Sequence, residues 1–331
     1  MAKLGILALV GSESLMGREI RDLVSTAGLP YELRLIAAGE EAAGTLTEQG
    51  GEAAVMGGLD AAALEDARIV FLAGSPEAAQ RAVDLACDAT CIDLSYGAEE
   101  RPGARLRAPM VEPPGYTVEP GSVQVIAHPA AIAIALVLGR LHEVHPVRRA
   151  VIHVFEPASE RGAGGLEELQ QQAVSLLSFK RLPKKIFDEQ LGFNMLARYG
   201  EEAPVALEEA EARMERHLAT LLAMSDTAVP MPSLRLIQAP VFHGHSFSLW
   251  IEFEDNPGPA EVEAVLAVEH VDVRGAGTDP PTAVGMAGQG GVAIGAVAVD
   301  RNATDACWIW MAADNLRLAG ENALAVARQL L

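Results

Sequence analysis

Apolar runs alternate with helical stretches over the first 127 residues, and this alternation constrains the fold more than any other feature of the chain. Residues 4–10 form an unbroken apolar run, which is typical of a parallel strand that is buried on both faces. A turn at residues 11–17, with a glycine at each end, precedes a helical pattern at residues 18–27. The alternation predicts a doubly wound parallel sheet with right-handed crossovers.

The other elements of this region are short. We expect strands at residues 33–37, 54–56, 69–72, 91–94 and 123–127, a helix at residues 76–86, and an irregular excursion at residues 101–120.

Beyond residue 127 the pattern becomes mixed, with strands predicted at residues 147–155, 234–241, 246–253 and within 291–311, and helices at residues 166–177, 204–224 and 315–331. The fold class predicted is therefore α/β, with a dinucleotide-binding (Rossmann-like) domain at residues 1–127. A mixed α+β domain follows at residues 128–312. A C-terminal helix at residues 313–331 is expected to pack back on the first domain.

The net charge of −20 argues against nucleic acid or an anionic membrane as a partner, because both require basic surface patches. Three cysteines, Cys87, Cys91 and Cys307, are too few for a disulfide framework and favour a reducing, cytoplasmic location. We interpret all three as small core residues. The apolar N-terminal run ends in a glycine turn without a cleavage site, so we expect a buried strand there rather than a signal peptide.

The turn at residues 11–17 has the context of a dinucleotide-binding loop, between a strand and a helix. Gly11 permits the tight turn and Gly17 lets the helix pack close to the sheet. Ser14 stands where a middle glycine would let the backbone approach a pyrophosphate, and Glu13 adds a negative charge. Two interpretations stay open, namely dinucleotide binding and an ordinary tight turn without a nucleotide.

Six segments in order carry a family resemblance: the turn at residues 11–17, Ile92-Asp93-Leu94-Ser95, Ile126-Ala127-His128-Pro129, Phe193-Asn194-Met195, residues 239–246 (Ala-Pro-Val-Phe-His-Gly-His-Ser) and Asp314-Asn315-Leu316-Arg317. The chain resembles aspartate-semialdehyde dehydrogenases over nearly its full length. It is most similar to the Usg-type paralogues, which also carry glutamine at the position of Gln238. The resemblance implies that the α+β domain at residues 128–312 is the substrate and dimerisation domain. It also implies a homodimer formed through the sheet of that domain.

In that family a cysteine attacks the aldehyde, hydride passes to NADP, and phosphate releases the acyl group with a histidine as the base. The resemblance places Ala131 at the nucleophile position and His245 at the base position. A methyl group cannot form a thioester. The family's nucleophile is thus absent, while its base is retained.

The other implied site positions have lost the family's cations or changed charge. Gln238 matches the substrate-carboxylate arginine, Glu99 matches the phosphate-binding arginine with Arg101 nearby, and Glu156 matches an acyl-positioning glutamine. Glu40 matches the arginine for the cofactor's 2′-phosphate, which favours NAD over NADP. The complete implied cofactor site comprises Gly11, Ser12, Glu13, Ser14, Leu15, Met16, Gly17, Glu40, Ala73, Gly74 and Asn315.

Three functions remain open from the sequence. The first is a family homologue that has lost phosphorylating aldehyde oxidation but binds NAD, NADP or a small metabolite. The second is an NAD(P)-dependent oxidoreductase that uses His245 without a covalent step, and the third is a structural or regulatory dimer. A three-histidine metal site at His128, His243 and His245 is the weaker interpretation of these residues, so we expect no metal.

Overall fold

The structure is a computed structural model that describes residues 5–39, 41–86, 88–225 and 227–331. The chain divides into two compact units. The first unit contains Met1–Ala127 and Ala319–Leu331, and the second contains His128–Leu318.

The first unit is built on a six-stranded parallel sheet with the order β2-β1-β5-β6-β8-β7. Its elements are β1 (Gly5–Val10), α1 (Leu15–Ala27), β2 (Tyr31–Ile36), β3 (Leu46–Gln49), β4 (Glu52–Val55), α2 (Ala61–Leu64), β5 (Ala67–Leu72), α3 (Pro76–Leu85), β6 (Thr90–Asp93), β7 (Arg105–Arg107) and β8 (Val123–Ile126).

The strand order reverses direction at β1, because β2 lies on one side of this strand and β5 on the other. The buried run Leu7–Val10 supplies the centre of the sheet, as its unbroken apolar pattern predicted. Gly11 follows β1 and Gly74 follows β5, and a Cβ atom on Gly11 would lie 2.4 Å from the backbone of Gly74. The two turns therefore pack at the switch point, where doubly wound sheets bind ligands.

Two segments of the first unit differ from the prediction. The short strand expected at residues 54–56 is present as β4, but it belongs to the antiparallel hairpin of β3 and β4 and not to the main sheet. The expected irregular excursion contains β7, which pairs in parallel with β8. A three-residue strand with arginine at both ends has too little apolar periodicity to be recognised from its sequence.

The second unit contains a mixed six-stranded sheet with the order β10-β9-β11-β14-β13-β12. Its elements are α4 (Pro129–Val144), β9 (Val147–Glu156), a 3-10 turn (Ala158–Arg161), α5 (Gly162–Leu177), α6 (Leu207–Leu222), β10 (Ser233–Gln238), β11 (His245–Phe253), α7 (Pro259–Leu266), β12 (Val271–Arg274), α8 (Ala283–Met286), β13 (Val292–Val299) and β14 (Ala306–Ala313). The helix α9 (Asn315–Arg328) begins in this unit, and its residues from Ala319 belong to the first.

The inner face of this sheet, which includes Ile152, Val154, Phe247 and Leu249, is fully buried. Helices α4 and α6 pack on the sheet at β9 and β10, respectively. Helix α4 is apolar around most of its circumference, as expected for a helix inside a core. The sequence did not predict α7, β12 or α8, which lie in a stretch rich in Pro, Gly and acidic residues.

The parallel sheet of the first unit and the mixed sheet of the second confirm the predicted α/β fold class. Among the described residues, no helix has the length and apolar character needed to span a membrane.

Candidate functional site

The segment around His128 and Ala131 forms the start of α4 in the second unit. His128 is the N-cap residue, and its Nδ1 accepts a hydrogen bond of 3.2 Å from the backbone N–H of Ala130. Pro129 occupies the first helical position, where its missing N–H costs nothing and its fixed φ suits the helix. Ala131 lies one turn beyond His128, so both residues fall on the same side of the helix, and its side chain is completely buried.

His245 is the first residue of β11 and is brought beside His128. The two ring centroids are 5.7 Å apart, and the ring centroid of Phe247 also lies 5.7 Å from that of His245. His245 is completely buried, and neither ring nitrogen has a hydrogen-bond partner. Burial, assisted by the charge of Arg161, lowers its pKa to about 3, so the ring is neutral at physiological pH.

Glu160, in the 3-10 turn, places a carboxylate between these two histidines. Its Oε1 atom lies 3.9 Å from His245 Nε2, and its Oε2 atom lies 3.8 Å from His128 Nε2. The side chain is 13% exposed, so it is more accessible than either imidazole. Burial and the nearby charge of Glu156 raise the pKa of Glu160 to about 7, against the opposing effects of Arg161 and Asn315. This carboxyl group therefore exchanges its proton near neutral pH.

Asn315 fixes the orientation of Glu160. Its Oδ1 atom accepts hydrogen bonds from the Gly244 N–H at 3.1 Å and the Ser159 hydroxyl at 3.2 Å. These bonds leave the Nδ2 donor facing Glu160, which accepts from it at 2.8 Å. The resemblance placed Asn315 in a cofactor site, and within the second unit its amide serves to hold the carboxylate.

A second buried network joins Glu156, Arg161, Tyr199 and Gln238. Arg161 pairs with Glu156 at 2.7 Å, and its Nε donates to the Tyr199 hydroxyl at 3.2 Å. Tyr199 in turn donates to Gln238 Oε1, while Gln238 Nε2 donates to the carbonyl oxygens of Glu156 and Ala239. Gln238 is thus held entirely by protein groups, and the single cation of this network is already paired.

Sequence reasoning missed Glu160, Arg161 and Tyr199. The first two lie in a stretch of small residues that looked like a plain loop, where an adjacent Glu-Arg pair was the only available signal. Tyr199 comes from an irregular segment between α5 and α6, four residues beyond the Phe193-Asn194-Met195 motif, but the motif itself did not point to the tyrosine. The inference that cations had been lost from the pocket was incomplete, because Arg161 is present beside Glu156.

His243, considered above as part of the weaker three-histidine interpretation, lies outside the strand that carries His245. The strand begins only at His245, and Gly244 before it has a φ of 84°. Within the described ranges, no group of three or more His, Cys, Asp or Glu side chains is arranged to hold a metal ion.

The implied cofactor residues of the first unit lie mostly at its switch point. Ser14 is the N-cap of α1, accepting from the Gly17 N–H at 2.8 Å and donating to the Ala73 carbonyl at 2.7 Å. A Cβ atom on Gly17 would lie 2.0 Å from the carbonyl oxygen of Gly11, so only glycine fits there. The turn therefore joins β1, α1 and the end of β5 without strain.

Two carboxylates lie at this turn. Glu41 accepts hydrogen bonds of 3.0 Å from the backbone N–H groups of Glu13 and Ala38. Partial burial alone raises the pKa of Glu13, but hydrogen bonds from Thr47 and the contacts of Arg21 and Arg18 bring it below its usual range. Glu40, predicted to select NAD, lies outside the described residues.

The other implied residues are dispersed. Glu99 follows β6 in the first unit and is half-buried, whereas Arg101 pairs with Asp84 at 2.6 Å. Cys91 is buried in β6, and burial together with Asp93 raises the pKa of its thiol to about 12. Cys307 is also buried, and Cys87 lies outside the described residues.

Comparison with known proteins gives a consistent family assignment. Residues 138–318 match the model of the semialdehyde dehydrogenase dimerisation domain. An aspartate-semialdehyde dehydrogenase of Rickettsia bellii is 25% identical and aligns over 100% of this chain and 99% of its own length. A USG-1 protein homolog of Pseudomonas aeruginosa is 29% identical over 98% of this chain and 97% of its own. A solved structure of a probable aspartate-semialdehyde dehydrogenase from the same species superposes with a TM-score of 0.83, 25% identity and coverage of 99% and 98%.

Proposed function

The chain belongs to the family that carries the semialdehyde dehydrogenase dimerisation domain, and from this premise we propose that it binds a small carbonyl compound without phosphate-dependent aldehyde oxidation. The single observation that carries this proposal is the buried methyl group of Ala131. It lies one helical turn from His128, whose ring neighbours the family's base position, His245. A thioester needs a thiolate at this point, and alanine cannot supply one.

The described thiol of the second unit cannot replace the missing nucleophile. In the pairing of β11 with β14, His245 lies opposite Ala313, whereas Cys307 lies opposite Ile251. Six residues along a strand span about 20 Å, so Cys307 is at the far end of the sheet from His245. Burial also raises the pKa of the Cys307 thiol, which disfavours the reactive thiolate.

The polar surroundings also disfavour an acyl phosphate. Arg161 is neutralised by Glu156, and Gln238 makes its hydrogen bonds within the protein. A phosphate brought to these groups would meet two carboxylates, those of Glu156 and Glu160, and no unpaired cation of this network. An uncharged carbonyl group avoids this repulsion and finds hydrogen-bonding groups in the two imidazoles.

The test is a phosphate-dependent assay of NAD and NADP reduction with aspartate semialdehyde. We expect no turnover by the native chain, and none by Ala131→Cys, because the substituted thiol still lacks a cationic site for the acyl phosphate. A phosphorylating member of the family is the positive control. Phosphate-dependent turnover by the native chain would overturn the proposal.

We further infer that a dinucleotide at the turn of the first unit is NAD rather than NADP. Arg18 and Arg21 both contact the carboxylate of Glu13, which offsets their charge toward a 2′-phosphate. Each oxygen of Glu41 accepts one backbone hydrogen bond and retains a second acceptor position, which suits the hydroxyl groups of a ribose. At 100-fold excess over its dissociation constant, NAD is expected to stabilise the fold by about 2.7 kcal/mol. An equal or larger thermal shift with NADP would contradict this inference.

We also propose a homodimer formed through the outer face of the second unit's sheet. This face includes Val151, Trp250 and Trp308, which are neighbours across β9, β11 and β14. Together with Arg149 and two small residues they line a groove of about 490 Å³. Val151 is 37% and Trp308 39% exposed, which is unusual for large apolar side chains in a flat cluster. A second copy of the chain would cover them.

Finally, we propose that the domains have the bounds and roles that the sequence indicated. Residues 1–127 form the dinucleotide-binding domain, residues 128–312 hold the carbonyl site and the dimer face, and residues 313–331 complete the first domain.

A further inference from the structure

The carboxylate of Glu160 lies just beyond hydrogen-bond distance from each of the two imidazoles. The separations of 3.9 Å to His245 and 3.8 Å to His128 exceed the reach of a direct hydrogen bond. Because Glu160 and His245 lie this close together, neighbouring atoms of one ligand can contact both groups at the same time. The unpartnered, fully buried ring of His245 independently indicates a missing polar partner.

We propose that this site catalyses proton exchange at the carbon next to the carbonyl group of an uncharged aldehyde or ketone. In this reaction Glu160 removes and returns the proton, and His245 donates a hydrogen bond to the carbonyl oxygen. This activity rests on the carbonyl site proposed above and adds a reaction to it. A carboxylate base paired with a neutral imidazole is a known chemical solution for enolisation, because the base removes the proton while the ring N–H stabilises the oxygen.

The step needs no oxidant or second substrate. The Glu160 carboxylate takes a proton from the carbon next to the carbonyl group, and the C–H electron pair becomes a carbon–carbon double bond. The carbonyl π pair moves to the oxygen, where the N–H placed on His245 Nε2 donates a hydrogen bond. The proton then returns from Glu160 to carbon. In D₂O the carboxyl proton exchanges with solvent, so deuterium enters the substrate.

The charges around Glu160 select an uncharged substrate. The groups that face it are His128 from α4, Glu156 from β9, Arg161 beside it in the turn, His245 from β11 and Asn315 from α9. Arg161 and Glu156 cancel, and both histidines are neutral because burial holds the pKa of each well below its usual value. Among these groups, an anionic substrate would therefore find no unpaired cation beside the Glu160 carboxylate.

The two histidines are held differently, which assigns them different roles. The backbone N–H of His128 donates to His217 Nδ1 at 2.9 Å, and the His128 ring caps α4 through its Nδ1. This ring is therefore locked in position and acts as a positioning group. His245 has both nitrogens available and is the group that contacts the carbonyl oxygen.

The experiment follows deuterium incorporation into hydroxyacetone, an uncharged ketone, by NMR in D₂O. We expect the full chain to accelerate exchange, with activity rising with a midpoint near pH 7 as Glu160 ionises. Glu160→Gln should lose about 10²- to 10⁴-fold of the rate, the usual contribution of a positioned acid–base group. Glu167→Gln, at an exposed position of α5, is the matched control and should keep the native rate.

Pyruvate serves as the anionic probe and should exchange more slowly than hydroxyacetone. Equal rates for the native chain and Glu160→Gln, a preference for pyruvate, or no acceleration of hydroxyacetone exchange would each overturn the proposal. Circular dichroism and thermal unfolding of Glu160→Gln establish that the variant is folded. The phosphate-dependent oxidation assay is run in parallel. It tests separately whether the chain has lost thioester chemistry, so the two proposals can fail independently.

Discussion

At the scale of single residues, the chemistry of the site depends on the neighbours of His245, chiefly Glu160 and His128, as much as on His245 itself. The resemblance predicted His245 and the alanine at the nucleophile position from local sequence. It could not predict that Glu160 would lie between two histidines, because the residues involved come from α4, β11, α9 and a 3-10 turn. Proximity between segments more than 30 residues apart leaves no mark on local periodicity.

The buried neutral ring of His245 makes stability depend on pH. Its folded pKa of about 3 lies below its ordinary value of 6.5, so the unfolded chain takes up a proton first as the pH falls. Its contribution to stability is complete above pH 6.5 and is lost as the pH falls toward 3, at up to about 1.4 kcal/mol per pH unit. We expect His245→Gln to lack this part of the slope in urea unfolding measured between pH 7 and pH 4. An unchanged slope would show that the ring is charged or exposed.

Glu160 should show the opposite dependence. Its folded pKa of about 7 exceeds the ordinary value of 4.5, so the unfolded chain loses its proton first as the pH rises. The native chain therefore loses stability between about pH 4.5 and pH 7. We expect Glu160→Gln to gain stability relative to the native chain when the pH is raised from 5 to 8. A constant difference across that range would mean that the carboxyl group titrates normally.

At the scale of secondary-structure elements, strongly periodic segments were predictable and short polar ones were not. The apolar run of β1 and the alternation of β11 have one clear interpretation each, and the structure contains both strands. The strand β7 pairs with β8, which lies 15 residues beyond it, whereas β3 and β4 pair only with each other in a short hairpin. Their own sequences carry little apolar signal.

The helix α4 provides a test at this scale, because it carries the site's N-cap and is buried almost throughout. Ile134 is fully buried one turn beyond the site, and Ile134→Ala should cost about 2–5 kcal/mol of unfolding free energy. Leu177→Ala at the end of α5, where the side chain is 74% exposed, should change it by less than about 0.5 kcal/mol. Similar costs for the two variants in chemical denaturation would place α4 outside the core.

At the scale of the whole molecule, the fold class followed from the change of pattern after residue 127. The order of the six motifs along the chain indicated the family, and comparison with known proteins confirmed it. The chemistry of the site was harder to predict. Arg161 and Glu160 alter the charge around His245, and their spatial arrangement depends on the complete second unit.

The proposed dimer is also a property of the whole molecule. Trp308 and Trp250 both donate to Asp300, so the aromatic cluster on the outer face is held rigid. We expect Trp308→Arg to shift the chain from dimer to monomer in sedimentation equilibrium, because a cation would be buried at the interface. Leu177→Ala, whose exposed side chain lies outside this sheet, is the control and should remain dimeric. A dimeric Trp308→Arg would place the interface elsewhere.

The central claim is that this family member has no thioester chemistry. Its most direct measurement is a single-turnover experiment with the native chain, aspartate semialdehyde and either dinucleotide, at enzyme concentrations near those of the substrate. Formation of an acyl-enzyme would release one equivalent of reduced dinucleotide even if product release were slow. We expect no such burst, with or without phosphate. A burst approaching one equivalent per chain would contradict the claim and require another nucleophile.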